Sequence, residues 1–417
     1  MQPVEIKQTP PSVSTPSLWR NRDYMLLWSG QIVSSVGSQV SQLAFPLLIL
    51  TLTHSPAQAG LAGALRALPY LIFSLPAGAL IDRWDRKRVM ILCDTVRGLA
   101  LGSIPLAFAL GHVTILQLYI VSTIEGTFFV FFNIAEAACL PRVVPKVQLP
   151  AATAQNQATE GIMTLAGPSL GGVLYTLGSY IPFLTDAISY IASVISLFFI
   201  KARFQEKRTV APRKLWVEIW EGLRWLWQQP LIRFMALLTG ASNLIYSGYT
   251  LIVIVLAKSM HAPSFLIGII MALSGLGALL GAIVAPYFQR RFTFGQVIIA
   301  SCWFGALAIA LYLVAPNLIV LGIVAFFSFI SAPIYNVVQF SYRSALIPDT
   351  LQGRVNSVFR LIAFGGQPIG VALIGWLIQS SGVIRTIIYC TIFLTLFSIL
   401  ATINKHIRHA QPLENIA

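Results

Sequence analysis

Charge is what this chain has least of. Of its 417 residues, 10% are charged and only 14 are acidic, against 56% hydrophobic. A soluble domain carries nearer a quarter charged residues. So apolar a chain cannot hide its surface in its own core, which excludes an ordinary soluble protein and leaves lipid to cover part of it. Cysteine is scarce as well. Cys93, Cys139, Cys302 and Cys390 fall in or beside apolar runs without paired or metal-like spacing, which excludes a disulfide framework or zinc site and makes them small apolar residues. The five histidines (His54, His112, His261, His406, His409) sit in turns or in the C-terminal stretch. No HExxH, GxSxG or Walker motif occurs, so the sequence offers no chemistry for an enzyme and calls for no cofactor and no metal. An ATPase acting without a partner is excluded on the same ground. The net charge of +14 does not mark a nucleic-acid binder, because the cations sit in short clusters between long apolar runs and form no basic domain.

Those long runs are what the chain does have. A bilayer-spanning helix takes about 20 mainly apolar residues. Twelve candidates occur, at about 24–52, 57–81, 89–111, 114–139, 152–178, 182–201, 231–257, 264–286, 295–315, 317–341, 355–380 and 384–404. The short alternating segments of a membrane β-barrel are missing. The expected fold is therefore an all-α membrane protein of twelve transmembrane helices. Residues 1–23 are polar and Pro/Ser-rich, and the run after them is too long for a signal peptide, so they are expected to be a disordered cytoplasmic tail.

The cations orient the chain. With both termini inside, the cytoplasmic connections hold Arg83, Arg86, Lys87, Arg88, Arg142, Lys146, Arg290, Arg291, Arg343, Arg354, Lys405 and Arg408, and the outer turns only Lys258 and Arg385. The longest connection, 202–230, divides the chain into bundles at 24–201 and 231–404, with 405–417 as a second cytoplasmic tail. Within it Trp216, Trp220, Leu223 and Trp227 recur at helical spacing, the pattern of an amphipathic helix at the membrane interface. Sliding the chain by 203 residues superposes Gly78 on Gly281, Gly102 on Gly305, Asn133 on Asn336, Pro145 on Pro348, Gly167 on Gly370 and Gly172 on Gly375. Matches of glycine, proline and asparagine at one offset mark repeated backbone exceptions. They predict two six-helix bundles related by a pseudo-two-fold axis along the membrane normal, the design of a transporter with its path between the halves.

Two motifs sit on that frame. The first runs Gly78-Ala-Leu-Ile-Asp82-Arg83-Trp-Asp85-Arg86-Lys87-Arg88 after the second run. It resembles the loop 2–3 signature of the major facilitator superfamily, G-x-L-x-D-R-x-G-R-K, with Asp85 in place of the second glycine. The resemblance implies a gating role for Gly78, Asp82, Arg83, Arg86 and Lys87, with Asp82 docking on a helix start near 354–360 in the other half. Gly78 itself is expected to permit close helix approach. The second motif, Gly167-Pro168-Ser169-Leu170-Gly171-Gly172, resembles the family's G-P-x-x-G-G antiporter signature. Pro168 removes a backbone donor, and the glycines are expected to admit the eighth span, which answers with Gly275, Gly277 and Gly281. Over residues 19–402 the chain is similar to the macrolide-efflux and enterobactin-exporter branch, through NRDYMLLWSGQIVSSVGSQVSQLAFPLLIL, LPRVVP and IPDTLQGRVNS among other segments. It departs from that branch at Ser38, where an acid often follows the glycine, and in lacking the fourth-span arginine.

Ionisable residues inside a bilayer are costly and point to function. The candidates are Arg66, Asp94, Arg97, Glu125 and Glu136, with Glu160, Asp186 and Arg360 beside them. Asp94 and Arg97 stand three apart and are expected to pair with each other or with the loop 2–3 cluster. Arg66 and Glu125 are expected at one depth, as partners. Asp186 is expected near the outer surface. In the family's fold the first, fourth, seventh and tenth spans line the cavity, which makes Gln31, Gln39, Phe128, Asn133, Asn243, Tyr246, Tyr335, Asn336 and Gln339 candidate lining residues. Amides and aromatics with few charges suit a small amphipathic substrate. The resulting expectation is a monomeric, proton-coupled exporter in the cytoplasmic membrane, carrying a drug-like compound or siderophore. The alternatives are a lipid or glycolipid flippase of the same fold and a non-transporting membrane receptor or scaffold.

Overall fold

The computed structural model describes residues 18–202, 204, 215–408 and 410. Most of the expected tail 1–23, part of the expected linker 202–230 (203 and 205–214) and most of the expected tail 405–417 lie outside these residues. The first half is six uninterrupted helices: α1 (Arg22–Thr53), α2 (Pro56–Ile81), α3 (Arg86–Ala109), α4 (Ile115–Val143), α5 (Leu149–Leu177) and α6 (Ile181–Phe199). Short polar caps start them. Asn21 accepts from the Tyr24 amide, Ser55 from Gln58 and Thr114 from Gln117, each satisfying a donor that the helix leaves open. A separate helix, α7 (Leu215–Gln228), precedes the second half.

The second half repeats the pattern with three spans interrupted. Its helices are α8 (Pro230–Tyr246) with α9 (Tyr249–Ser259), α10 (Ser264–Arg291), α11 (Phe294–Leu311), α12 (Leu318–Ser328) with α13 (Ser331–Leu346), α14 (Gln352–Gly365) with α15 (Gln367–Ser381), and α16 (Val383–Ile403). The breaks have local causes. Pro333 and Pro368 each deny a hydrogen bond to the carbonyl four residues back, at Phe329 and Phe364, and the first break follows the Ser247–Gly248 pair. Among the described residues, ten helices or broken pairs have the length and hydropathy to cross a membrane. The remaining long helices, α2 and α5, have 26 and 29 residues. Together they are consistent with twelve spans. The N-terminal stretch of α5, from Thr153 to Thr164, is polar and largely exposed, which is why α5 falls outside the apolar set.

The two ends of the molecule differ. We call the end that carries the α2–α3 connection the basic end. At the far end, one apolar core joins both halves: Leu43 to Leu50 of α1, Ala59 and Ala62 of α2, and Phe183 of α6 pack with α9, Ile267 of α10, Leu321 of α12 and Ile374 of α15. At the basic end there are two cores, one drawn from α1–α6 and the other from α7 onward. Two seams hold the far end shut, α2 on α15 and α5 on α10. In the second, a Cβ added to Gly172 would stand 2.6 Å from the Ser264 carbonyl oxygen and 3.2 Å from the Gly268 Cα, so only glycine allows this approach. Lys258 adds a bond across the halves, donating to Thr51 Oγ1 at 3.3 Å. At the basic end, by contrast, a Cβ on Gly78, Gly161 or Gly353 would meet nothing within 4 Å. The halves are parted there and closed at the far end.

If those seams set the balance between the two ends, Gly172→Leu should overfill one of them, at a cost of about 1–3 kcal/mol. With spin labels at Arg83→Cys and Gly353→Cys in a background without native cysteines, electron–electron distances across the basic end should shorten as the far end is wedged open. An unchanged distance distribution would remove the seam from the balance.

Candidate functional site

The buried charges gather in the first half. Asp94 and Arg97 on α3, Glu125 on α4 and Asp186 on α6 are all buried. Arg97 is the hub: its Nε donates to Glu125 Oε1 at 3.1 Å and its Nη2 to Oε2 at 3.2 Å, a bidentate pair. Its Nη1 stands 3.8 Å from Asp94 Oδ1, and its guanidinium lies 4.4 Å from the Tyr190 ring centroid. Ser193 donates to Asp94 Oδ2 at 2.6 Å, and Tyr190 shares a 2.8 Å hydrogen bond with Ser38. Ser41 and Ser189 both donate to Asp186, which has no Lys or Arg within ion-pair distance among the described residues. The network therefore ties α1, α3, α4 and α6 together. At positions 203 residues later the second half has Val297, Ala300, Ser328 and Tyr389, none of them charged.

The expected Arg66–Glu125 and Asp94–Arg97 ion pairs are both present, and Arg97 is a second, closer partner of Glu125. Glu125 is held chiefly by Arg97, while Arg66 approaches it only to 3.7 Å and remains 25% exposed. Backbone packing sets that distance: a Cβ on Gly126 would collide with the Arg66 carbonyl, so α2 and α4 touch there. Asp186 lies in the second turn of α6, toward the far end, and is enclosed between α1 and α6, which close at Gly37 against Ser189 and Asp186. Depth could have revealed the Arg97–Glu125 pair. Both residues lie roughly 10–12 positions from the α3–α4 turn on consecutive antiparallel helices, about 15–18 Å at the helical rise.

The first motif forms a latch within its own half. Asp82 faces Arg86 Nη2 at 3.4 Å, and Arg86 Nη1 donates to the Ala138 carbonyl at 2.9 Å. Lys87 Nζ donates to the Ile200 carbonyl at 2.7 Å, at the C-terminal end of α6 where a cation is favoured. Asp85 caps α3, accepting from the Arg88 amide at 3.2 Å with an ordinary negative φ, so the missing second glycine costs no geometry. Arg83 is exposed. The close approach expected of Gly78 does not occur, because the basic ends are parted. Arg354, at the expected docking helix, forms an ion pair with Glu221 of α7.

The second motif divides its glycines. Gly172 meets α10 at Gly268, and the Pro168 carbonyl also faces Gly268, whereas Gly167 packs on Gln39 and Gly171 on Val40 of α1. The α10 face is corrected accordingly: Gly268 and Gly275 lie on α5, while Gly277 and Gly281 receive Phe326 and Ile330. Pro168 sits inside α5 without interrupting it.

Of the candidate lining residues, Asn133 and Asn336 are exposed, and Gln31 and Phe128 are half-buried. Gln39 is taken up at the α1–α5 contact. Tyr246 points at Gly305 of α11, Asn243 donates to the Ala363 carbonyl at 2.8 Å, and Tyr335 shares a 2.8 Å bond with Thr239. Gln339 is buried. Tyr246, Asn243 and Tyr335 serve helix contacts rather than an open path. Glu136 is half-buried on α4. Among the described residues no group of His, Cys, Asp and Glu stands close enough to hold a metal.

Two bundles closed at one end and parted at the other, with charge held inside one of them, define a membrane transporter. The sequence profile of the Major Facilitator Superfamily matches residues 27–370, and the chain belongs to that family. It is 26% identical over 404 residues to the multidrug efflux pump Tap of Mycolicibacterium fortuitum, covering 92% of this chain and 96% of the relative. It is also 26% identical over 357 residues to the enterobactin exporter EntS of Salmonella typhi, covering 85% of each. The fold matches the nucleoside transporter NupG with a TM-score of 0.74 at 14% identity, over 93% of this chain and 100% of that one. It matches a bacterial homologue of the iron transporter ferroportin, in an inward-facing state, with a TM-score of 0.71 at 16% identity, over 93% and 99%. The protein is thus a multi-pass membrane transporter and not an enzyme.

Arg97→Gln should strand Glu125 and Asp94 together, at a cost of roughly 3–5 kcal/mol. Arg66→Gln should cost less, since water reaches that guanidinium. Thermal midpoints from fluorescence-detected size exclusion should fall in that order, and Glu125→Gln added to Arg97→Gln should recover part of the loss. Equal midpoints for the two single variants would return Arg66 to the role of main partner.

Proposed function

We propose that this protein is a proton-coupled exporter of small amphipathic molecules, drug-like compounds or siderophores, working by alternating access in the cytoplasmic membrane. The observation that carries the reading is the contrast between its ends: one shared core at the far end and two separate cores at the basic end. The path is open on the side where the cations gather, which the positive-inside rule makes the cytosol. Both termini then lie in the cytosol, and cargo loads from inside. Export is supported by the two relatives, which are named for drug efflux and siderophore export and align over most of their length. The divisions at 24–201 and 231–404 act as the two moving bodies of a monomer, with α7 lying at the cytoplasmic interface between them. Trp220 and Trp227 of α7 are exposed, as headgroup-level tryptophans are.

Proton coupling draws on the charge balance of the first half. Asp94, Glu125 and Asp186 are three buried carboxylates against two guanidiniums, Arg66 and Arg97, so one proton balances the cluster. Asp94 is the member with an oxygen left free, since its Oδ1 is buried with no hydrogen bond. Glu136 lies toward the basic end of α4 as a second proton acceptor.

In proteoliposomes, a pH gradient should drive transport of an amphipathic dye, and nigericin should stop it. Asp94→Asn should abolish gradient-driven transport while exchange without a gradient survives. Wild-type transport indifferent to the gradient would remove the proton from the mechanism, and absence of any flux across compound classes would remove the exporter reading.

A further inference from the structure

The basic-end portion of α13 carries Tyr335, Gln339 and Arg343 at intervals of four, one face of the helix. Tyr335 is satisfied by Thr239. The other two are not. Gln339 is 4% exposed and its Nε2 has no acceptor; Arg343 is 5% exposed and its Nε has none. The Arg343 guanidinium instead lies 3.8 Å from the Phe359 ring centroid and 5.4 Å from that of Phe340. Among the described residues no carboxylate or carbonyl pairs with it. Next to Phe359 on α14, Arg360 reaches across the halves to donate to Tyr70 Oη at 3.1 Å. Phe340 and Asn336, on the adjoining face of α13, are exposed, so the stripe borders open space. This wall offers buried donors and aromatic faces, and among the described residues no carboxylate pairs with them.

A charge removed from water without an acceptor is unfavourable. A guanidinium held over a ring keeps its donor edges available for a planar oxygen group. The repeat-related positions of the first half are Phe132, Glu136 and Leu140, so no guanidinium answers Arg343 across the pseudo-two-fold axis. The donors are on one side of the path only, which would orient a cargo as well as hold it.

We infer that Gln339 and Arg343 form an anion subsite that takes an acidic oxygen group of the cargo, a carboxylate, phenolate or phosphate, while Phe340 and Phe359 receive its apolar body. The inference rests on the exporter reading for its cargo, and the site can be tested by binding alone. The probe is tritiated naphthoate against its methyl ester, with the full-length protein in phosphatidylcholine nanodiscs and retention read by scintillation proximity. Wild type should retain the acid over the ester. Arg343→Gln should weaken the acid roughly tenfold or more, the effect of losing a charge-assisted hydrogen bond, and leave the ester unchanged. Arg343→Lys should keep part of the preference. Where Arg343→Gln yields no monodisperse protein, Gln339→Leu should lower acid retention several-fold and carries the test. Equal retention of acid and ester by wild type, or acid retention unmoved by the variants, overturns the site. Loss of acid retention when phosphatidylglycerol replaces part of the lipid assigns the donors to a headgroup and overturns the cargo assignment. Flux is scored separately: naphthoate bound through Arg343 with no probe transported keeps the subsite and sinks the exporter, while transport of a cationic naphthalene with no Arg343 effect on naphthoate does the reverse.

Discussion

Lipid provides no partner for a charge, so every ionised group within the bilayer must find one inside the protein. Arg97 meets that constraint for the whole first half. It holds Glu125 with two hydrogen bonds, stands beside Asp94 and lies over Tyr190, and through these residues it reaches α1, α4 and α6. A buried pair of this kind adds little stability over a well-packed apolar core, but removing one member leaves a charge with nowhere to go. The network therefore acts as a specification: the helices of this bundle are tied to one mutual arrangement, and alternatives leave a carboxylate bare.

The same scarcity of partners explains how two bundles can part at one end without losing their integrity. What separates at the basic end is apolar and aromatic surface together with charged side chains that, Arg343 apart, have local acceptors. Arg86 and Lys87 are satisfied by carbonyls at the ends of α4 and α6, and Arg354 by Glu221. The far end stays shut through backbone contact at glycine pairs, where packing supplies the attraction that the hydrophobic effect does not supply between helices in lipid. Contacts of that kind are made or lost as a surface, which suits an interface that must open.

Most of the architecture could be read from the chain because the bilayer enforces it. Runs near span length, cations on one side and Gly, Pro and Asn recurring at one offset follow from physics that tertiary detail does not override. The site was harder. Arg66 and Arg97 are both arginines at reachable depth, and only the α2–α4 contact at Gly126 and the α3–α4 turn decide which of them grips Glu125. Arg343 was counted among the cytoplasmic cations, since a rule based on counting does not distinguish an arginine in water from one stacked on Phe359. Its spacing from Gln339 and Tyr335 was the available sign. Gly78 shows the converse: the motif was legible, but its contacts depend on which end is open. The interruptions of the second half lay at Pro333, Pro368 and Ser247–Gly248, residues also found in unbroken helices of the first half, where Pro46, Pro69, Pro105 and Pro168 leave their helices continuous.

That difference between the halves has a mechanical meaning. Six continuous helices, most of them tied by buried charge, make a strut, whereas a bundle with breaks at Gly248, Phe329 and Gly366, and with neutral residues where its twin has ions, makes a spring. A load applied at the shared seam would be taken up by bending in α8–α9, α12–α13 and α14–α15, with the strut turning as a whole. The pseudo-two-fold relation then describes ancestry and shape, while compliance is distributed unequally: one body sets the angle and the other absorbs the strain.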